Sequence, residues 1–394
     1  MHTIIILLLS LFLRIYSLND HIAFHGDAAW FYFSARDTLT GKLPLLGITT
    51  SVTWLHQGPL WTYLLAPALL VSRYHPASGA FLTVFLNLLT YPLVYFLARL
   101  LFNSKTARLS LLLFALSPAA VVFSRNPYHT SPISLFLSAA LVLLLRKKYF
   151  LAFLFFGFLF QLELSSVAVW PVILIILYKQ KCLFIISAVS GFLFGVLPMF
   201  LAGPLQLLGT FLWSFHRLFS HLGSGSGGNL NYYLSFFSQI VFGIAIYPIW
   251  LLIIFSRWSL SKILLLIPLI FVVLSGNSSE AYLNILLVPI IIIIADLAAI
   301  LPYKIILLVC FFLSLNTFYR LNVQSTGLSL DRKIALTKEA IEKYPGQFSN
   351  IRVIGPGDEF PVYSLPYRYL LWSLKGSTSS VIINEYNQTV SVLK

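Results

Sequence analysis

The sequence predicts an all-α polytopic membrane protein, with about eleven transmembrane helices and a small α/β segment near its C-terminal end. Hydrophobic residues make up 59% of the chain and charged residues only 10%, and the mean hydropathy is +0.88. A soluble domain carries roughly 25% charged residues, so these charges are too few to cover a protein of this size in water. The apolar runs are continuous rather than alternating, which favours membrane helices over a membrane barrel.

Apolar runs locate the predicted spans. They are residues 3–18, 79–102, 108–123, 131–146, 149–162, 166–178, 182–202, 235–256, 263–275, 284–301 and 305–319. A cleaved signal peptide is the rival interpretation of residues 3–18, but no basic residue precedes that run and no small-residue cleavage site follows it. Residues 149–162 and 166–178 are each shorter than the roughly 20 residues of a span. One long tilted helix is therefore the alternative there, and it would invert the topology of everything downstream.

Lysine and arginine clusters orient the predicted helices. If residues 149–178 form two helices, the clusters all fall on one side: Lys105 with Arg108, Arg146 to Lys148, Lys179 with Lys181, Arg257 with Lys262, and Lys304. The positive-inside rule assigns that side to the cytoplasm of a cell-membrane protein, which also explains the net charge of +14 without a nucleic-acid partner. The N-terminus is then cytoplasmic. The loops 19–78 and 203–234 and the C-terminal segment are extracytoplasmic.

The last part of the chain has a different composition. Residues 320–394 hold nine of the 26 basic and six of the 12 acidic residues. Their pattern predicts helices at 334–343 and 360–374 and strands at 350–354 and 381–384. We therefore divide the chain into a transmembrane module, residues 1–319, and a small extracytoplasmic α/β domain, residues 320–394. No nucleotide-binding glycine motif occurs in that domain.

Polar residues collect on the predicted outer face. Seven of the eight histidines lie there: His21, His25, His56, His75, His129, His216 and His221. Three acids, Asp27, Glu163 and Glu280, lie in short loops beside predicted spans, where charge is costly and therefore informative. Asp27 precedes an aromatic, helix-compatible stretch, so it can cap that helix or take part in chemistry. Trp61 and Tyr63 suggest a helix lying along the membrane surface.

A series of motifs resembles a known family. They are Arg14-Ile15-Tyr16, Gly26-Asp27, Gly41-Lys42-Leu43-Pro44, His56-Gln57-Gly58-Pro59-Leu60, Tyr91-Pro92 to Phe102, Ala115-Leu116-Ser117-Pro118 to Arg125, Gly157 to Pro171, and Glu280-Ala281-Tyr282-Leu283 to Pro289. In order and spacing, over roughly residues 1–300, they resemble the GT-C membrane glycosyltransferases. The nearest group is the protein O-mannosyltransferase and aminoarabinose transferase-like one, whose paired short helices favour two helices within 149–178.

The resemblance implies a function. GT-C enzymes of this group transfer a monosaccharide from a polyprenyl- or dolichyl-phosphate carrier to an extracytoplasmic acceptor, which can be a lipid, a glycan or a protein. The first-loop aspartate of the family aligns with Asp27, which is therefore the expected general base. An acceptor hydroxyl is a poor nucleophile until a positioned carboxylate takes its proton. A single carboxylate suffices because phosphate is already a good leaving group, and direct displacement inverts the sugar.

Further residues are candidates for substrate binding. Arg125 is the expected partner of the leaving phosphate, with interfacial snorkelling as its alternative role. His56 touches the phosphate or positions the first loop. Glu163 binds a sugar hydroxyl or amine or pairs with an outer arginine. The remaining candidates around the same cavity are Tyr128, His129, Glu280 and Tyr282.

Cofactor use stays open at this point. Many relatives have a second acid where this chain has Ala28, and the acid that some members carry after the third span is absent here. We therefore assign no metal ligands and no cofactor, and leave open whether a divalent metal takes part. Two other functions are also open: a transporter or flippase of lipid-linked sugars, and a non-catalytic subunit with the same fold. A transporter often shows inverted repeats, and no repeat is found in this sequence.

Overall fold

Long apolar segments form the helices of this protein, and proline, glycine and polar residues mark where many of them begin and end. The computed structural model describes residues 2–22, 24–50, 52–178, 184–219, 253, 258–274, 284–323, 328–346, 351–356, 358–376, 378 and 380–392. The helices are α1 His2–Ile15, α2 Gly26–Leu39, α3 Leu60–Val71, α4 Ser78–Leu101, α5 Ser104–Leu116, α6 Pro118–Arg125, α7 Ile133–Leu145, α8 Tyr149–Leu162, α9 Trp170–Leu177, α10 Phe184–Gly195, α11 Leu197–Ala202, α12 Pro204–Phe219, α13 Leu260–Leu274, α14 Asn284–Ala298, α15 Tyr303–Val323, α16 Leu330–Lys343 and α17 Leu365–Ser373. Short 3-10 turns occupy Asn19–His21, Leu164–Val169 and Pro361–Ser364.

Ten of the eleven predicted spans coincide with helices, and the other, 235–256, lies almost wholly outside the described residues. Among the described residues, Ser78–Leu101 and Tyr303–Asn322 are long and apolar enough to cross a membrane as single helices. The α5–α6 pair makes a third candidate span, bent by 55°. Most of the other apolar helices have 10–17 residues. The count of eleven spans is therefore not confirmed, although helices at ten of the eleven positions are.

The segment 149–178 reverses direction at Glu163. Along one straight helix, Phe153 and Trp170 would be about 25 Å apart, because each residue rises 1.5 Å. Their ring centroids are instead 5.9 Å apart. A 3-10 turn, Leu164–Val169, follows Glu163 and leads into α9. The alternative of a single long helix is therefore wrong.

Three glycines bring α8 and α10 into close contact. A Cβ added to Gly157 would lie 2.7 Å from the Cα of Gly195. A Cβ on Gly191 or on Gly195 would collide with the carbonyl oxygen of Phe150 or of Leu154. Small residues one turn apart are the usual means by which membrane helices approach, because lipid offers no hydrophobic drive for association.

The break between α5 and α6 is stabilised from other helices. Pro118 has no N–H, so the Phe114 carbonyl lacks its partner within the helix. The fully buried Arg14 donates from Nη2 to that oxygen at 3.4 Å and from Nη1 to the Ala115 oxygen at 3.1 Å. Thr317 Oγ1 donates to the Leu116 oxygen at 2.6 Å. Helices α1 and α15 thereby satisfy carbonyls that the membrane would leave without partners.

Two hydrogen bonds join α14 to neighbouring parts of the bundle. At one end of the bundle Asn284 Nδ2 donates to the Thr130 oxygen at 3.2 Å. At the other end Thr106 Oγ1 donates to Asp296 at 3.1 Å. These contacts fix how α14 packs in the bundle, and the side of the membrane on which each end lies stays a prediction.

The C-terminal segment forms a three-stranded sheet with two helices. Its strands are β1 Ile351–Ile354, β2 Val381–Asn384 and β3 Thr389–Val392. β1 pairs parallel with β2, and β2 pairs antiparallel with β3, in the order β1-β2-β3. The predicted helices and strands are confirmed, β3 was not predicted, and 360–374 divides into a 3-10 turn and α17. Helix α15 runs to Val323, past the predicted end of its span at 319.

Candidate functional site

The first turn of α2 presents Asp27. His25 has extended backbone (φ −103°, ψ 179°), and its Nδ1 accepts the Ala28 N–H at 3.4 Å, so His25 is the N-cap. The expectation that Asp27 caps this helix is wrong, because the helix has already begun at Gly26. Asp27 lies in the first turn, where the helix dipole favours a negative charge. Because His25 caps the helix, the Asp27 carboxylate does not.

Tyr128 holds the Asp27 carboxylate from the opposite loop. Its hydroxyl donates to Asp27 Oδ2 at 3.3 Å. Its ring lies edge-on to His25, with centroids 5.3 Å apart, and against His129 at 4.1 Å. The loop between α6 and α7 therefore meets the first loop at Asp27, and the structure brings together three residues that the sequence singled out separately.

Glu163 lies next to His129. Glu163 Oε2 is 3.9 Å from His129 Nε2, and each side chain is only 5% exposed. Glu163 Oε1 accepts the Ser165 N–H at 3.1 Å and so caps the 3-10 turn that follows it. The alternative that Glu163 pairs with an outer arginine is wrong, since its partner is a histidine.

Burial keeps both members of this pair away from full charge. It lowers the pKa of His129 to about 3, with a smaller effect in the same direction from His25. Burial also raises the pKa of Glu163, although hydrogen bonds from Ser165 and Gln57 partly oppose that shift. The separation of 3.9 Å is also too long for a hydrogen bond. We therefore interpret the contact as a polar pair around a neutral imidazole, not as a strong ion pair.

Two polar atoms at this pair are buried and unpaired within the described part of the chain. They are His129 Nδ1 and Oε1 of Gln57, a residue that also hydrogen-bonds Glu163. A buried polar atom without a partner costs about 1–3 kcal/mol. Such groups can exchange hydrogen bonds with the hydroxyls of a sugar, which offer both donors and acceptors.

His56 makes its described contacts within the first loop. His56 Nδ1 lies 3.2 Å from the Gly47 oxygen, and His56 forms an isolated β-bridge with Thr49. These contacts give His56 a part in shaping the loop, one of the two roles expected of it. A contact with a donor phosphate stays a prediction.

Gln161 is a positioning residue that the sequence analysis missed. Its backbone oxygen accepts the Gly58 N–H at 2.9 Å, and its Oε1 accepts the Leu60 N–H at 3.1 Å. Its Nε2 donates to the Gly195 oxygen at 2.6 Å. The signal was present, since Gln161 is the polar residue in the otherwise apolar run 149–162.

Arg125 has partners of its own. Its Nη1 donates to the Leu13 oxygen at 3.1 Å and its Nη2 to the Ser17 oxygen at 3.0 Å, and the residue is 3% exposed. It therefore satisfies carbonyls at the C-terminal end of α1, and it does not snorkel at the interface. Its contact with a phosphate stays a prediction.

Two of the remaining candidates cannot be placed in the fold. Glu280 and Tyr282 lie outside the described residues. Trp61 is fully buried at the start of α3, and the placement of this helix along the membrane surface stays a prediction. Within the described ranges no three His, Cys, Asp or Glu side chains come together as a metal site. The residues present there do not form such a site, and no step below is assigned to a metal.

Comparison with known proteins identifies the fold. No protein-family model matches the chain, and no curated protein sequence matches it. It is similar to the crystal structure of ArnT from Cupriavidus metallidurans bound to undecaprenyl phosphate: the TM-score is 0.67 at 12% identity, over 95% of this chain and 87% of that one. Against ArnT of the same organism in the apo state, the TM-score is 0.48 at 10% identity, over 93% and 84% of the two chains. The first likeness shows the fold: this chain has the fold of that ArnT structure, as the resemblance in the sequence led us to expect.

Proposed function

We propose that this protein is a membrane glycosyltransferase that moves a monosaccharide from a polyprenyl-phosphate carrier to an acceptor hydroxyl. The observation that carries the proposal is the placement of Asp27. Its carboxylate lies in the first turn of α2, is free of the capping role, and accepts a hydrogen bond from Tyr128. The ArnT-like fold supports the carrier, since that ArnT structure is bound to undecaprenyl phosphate.

The reaction assigns one role to Asp27. The acceptor hydroxyl loses its proton to the Asp27 carboxylate as its oxygen attacks the anomeric carbon of the sugar. The bond from that carbon to the phosphate oxygen breaks, and the electron pair leaves with the polyprenyl phosphate. The new bond forms on the face opposite the leaving group, so the anomeric configuration inverts.

The other side chains contribute binding and orientation. Tyr128 orients the carboxylate through its hydroxyl. Glu163 and His129, with the unpaired Gln57 oxygen, suit hydrogen bonding to sugar hydroxyls in a site largely shielded from water. Arg125 remains the predicted cation for the phosphate, because a guanidinium has five N–H donors and two carbonyls do not use all of them. The proposed topology places this site at the extracytoplasmic face and the N-terminus in the cytoplasm.

A reconstituted assay tests this proposal. The purified protein in liposomes would receive undecaprenyl-phosphate-linked pentoses and hexoses, with lipid, glycan and peptide acceptors in separate reactions. We expect labelled sugar to appear on an acceptor together with free undecaprenyl phosphate, and product analysis to show inversion. Movement of the intact donor across the bilayer without transfer would instead establish a flippase. Donor binding with neither outcome would indicate a non-catalytic subunit.

A further inference from the structure

The C-terminal segment touches the helix start that carries Asp27. A Cβ on Gly26 would collide with the carbonyl oxygen of Val362, in the 3-10 turn Pro361–Ser364. Only glycine permits this approach, and Gly26 directly precedes Asp27. The first turn of α2 is therefore packed against the C-terminal segment as well as against the loop that holds Tyr128.

A buried polar cluster lies at the base of that 3-10 turn. It consists of Lys333, Tyr363, Tyr367 and Glu385, which we call the Glu385 cluster. Glu385 Oε1 is 3.1 Å from Lys333 Nζ and accepts the Tyr367 hydroxyl at 2.8 Å. Glu385 Oε2 accepts the Tyr363 hydroxyl at 2.6 Å. The Lys333 and Glu385 side chains are only 9% and 5% exposed. Because both charges have lost most of their hydration, the ion pair and the two tyrosine hydrogen bonds must stabilise them instead.

The Glu385 cluster joins three parts of the C-terminal segment. Lys333 belongs to α16, and Tyr363 is the residue after Val362. Glu385 directly follows β2, and its N–H donates to the Ile354 oxygen at the end of β1 at 2.8 Å. A displacement of Glu385 or Lys333 would therefore reach the Val362 carbonyl, and through it Gly26.

Lys333 also acts on His25 electrostatically. Burial is the largest cause that lowers the pKa of His25, Asp27 opposes it, and the positive charge of Lys333 lowers it further. The loop between α6 and α7 places Tyr128 against the same ring, and His129 is near enough to interact with it electrostatically. Nδ1 can accept the Ala28 N–H only while it carries no proton. A cation at position 333 thus favours the protonation state that the helix cap needs.

We propose that Lys333 and Glu385 are positioning residues for the transfer reaction, which hold the capped first turn of α2, and with it Asp27, in its working arrangement. This inference rests on the proposed function for its kinetic consequences. It makes the C-terminal segment part of the active site and not a separate appendage. Neither residue is required to touch a substrate.

The test removes the charge pair while keeping its shape. In Lys333→Met/Glu385→Gln, no buried charge is left unpaired, so folding can be checked against wild type by thermal melting. We expect kcat to fall about tenfold with the donor KM within twofold. We also expect the acid limb of the kcat profile to move up by roughly half a pH unit or more, because His25 loses a neighbouring cation. Lys338→Met, an exposed change on the same helix, should change neither.

A second background isolates His25. Asparagine caps helices without titrating in this range, so in His25→Asn the same double substitution should no longer move the acid limb. Histidine NMR of the wild-type and double-variant proteins would give the His25 titration directly, without any need for activity. A kcat profile like that of wild type, or a fall in kcat with an unmoved acid limb and an unmoved His25 titration, would overturn the inference. If wild type transfers no sugar at all, the proposed function fails, and the NMR titration still decides the positioning role.

Discussion

At the scale of single residues, three consecutive residues at the start of α2 have three different structural roles. His25 caps the helix, Gly26 admits the Val362 carbonyl, and Asp27 is left with one described side-chain partner, Tyr128. A carboxylate held by one hydroxyl keeps lone pairs for an incoming proton. This division of tasks suits Asp27 to its proposed role as the base.

The Tyr128 hydroxyl can be removed alone. Tyr128→Phe keeps the ring contacts with His25 and His129 but deletes the donor to Asp27 Oδ2. A hydrogen bond of this kind contributes about 1 kcal/mol, so we expect kcat to fall roughly fivefold. Tyr95→Phe, outside the site, serves as the matched control in the transfer assay. An unchanged kcat in Tyr128→Phe would show that the hydroxyl does not orient the base.

The buried imidazole of His129 makes stability depend on pH. Its pKa is lowered to about 3, whereas an unfolded histidine titrates near 6.5. Between these values the unfolded chain binds a proton that the folded chain does not, so stability falls as pH drops below about 6.5. Glu163, whose pKa burial raises above its ordinary value of 4.5, acts in the opposite direction as pH rises through its own window.

His129→Gln removes the histidine contribution and leaves Glu163 in place. We expect the wild-type melting temperature to fall more steeply than that of the variant from pH 7 to pH 5. Below about pH 6.5, the unfolding free energy of the wild type should fall with pH more steeply than that of the variant. The difference between the two slopes should approach but not exceed about 1.4 kcal/mol per pH unit. Melting curves in detergent at several pH values measure it. Parallel curves would mean that His129 is not held neutral in the folded protein.

Sequence reasoning singled out four side chains that the fold brings together, but it misjudged some of their partners. Asp27, Tyr128, His129 and Glu163 come together because their loops emerge at one end of the bundle, which charge placement can predict. Whether Arg125 contacts helix carbonyls or a ligand depends on where α1 ends in space. That is tertiary information, which local sequence does not contain.

At the scale of elements, helices are held together by close contacts at glycines and by side chains of one helix that donate hydrogen bonds to backbone carbonyls of another. Apolar length predicted where helices lie, yet not that α5 and α6 are separated by a bend, nor that Arg14 and Thr317 satisfy its carbonyls. Those donors come from helices about 100 and 200 residues away along the chain. Only the folded arrangement brings them there, so local propensity could not show them.

The α8–α10 contact offers a direct test with an internal control. Gly191→Val places two methyl groups against the Phe150 carbonyl, so the helices must separate. Overpacking of this kind costs about 1–3 kcal/mol, which should lower the melting temperature clearly. At Gly209, in α12, a Cβ meets nothing within 4 Å, so Gly209→Ala should be neutral or stabilising by up to about 1 kcal/mol. Equal melting temperatures for the two variants would contradict this packing.

At the scale of the whole molecule, the C-terminal segment and the helical bundle share one core. Tyr369 of α17 is fully buried and packs against Phe24, Tyr32 and Phe33 at centroid distances of 5.1–5.8 Å. Its hydroxyl donates to the Tyr74 oxygen at 2.9 Å. Composition predicted a small α/β domain at residues 320–394, too small to be independent, because a change in charge marks a boundary in sequence. It could not show which side chains pack across that boundary.

Tyr369→Ala should loosen this attachment. Truncating a buried aromatic side chain costs about 3–5 kcal/mol, and the lost packing lies between α17 and α2. We expect faster proteolysis between α15 and α16 and a lower kcat, while Tyr369→Phe should lose far less. Limited proteolysis of the three proteins in detergent measures the release. Equal cleavage rates would show that the two parts do not depend on this contact.

The measurement that tests the central claim most directly is single-turnover sugar transfer by Asp27→Asn, with donor binding measured on the same preparation. The substitution keeps the size and the hydrogen-bonding reach of the side chain but removes its capacity to take a proton. Asp37→Asn, on the same helix and paired with Arg36, is the matched control and should transfer as wild type does. We predict that Asp27→Asn binds undecaprenyl-phosphate sugar with unchanged affinity and transfers it at least 100-fold more slowly, the size of a general-base contribution. Transfer at the wild-type rate by Asp27→Asn would contradict the account.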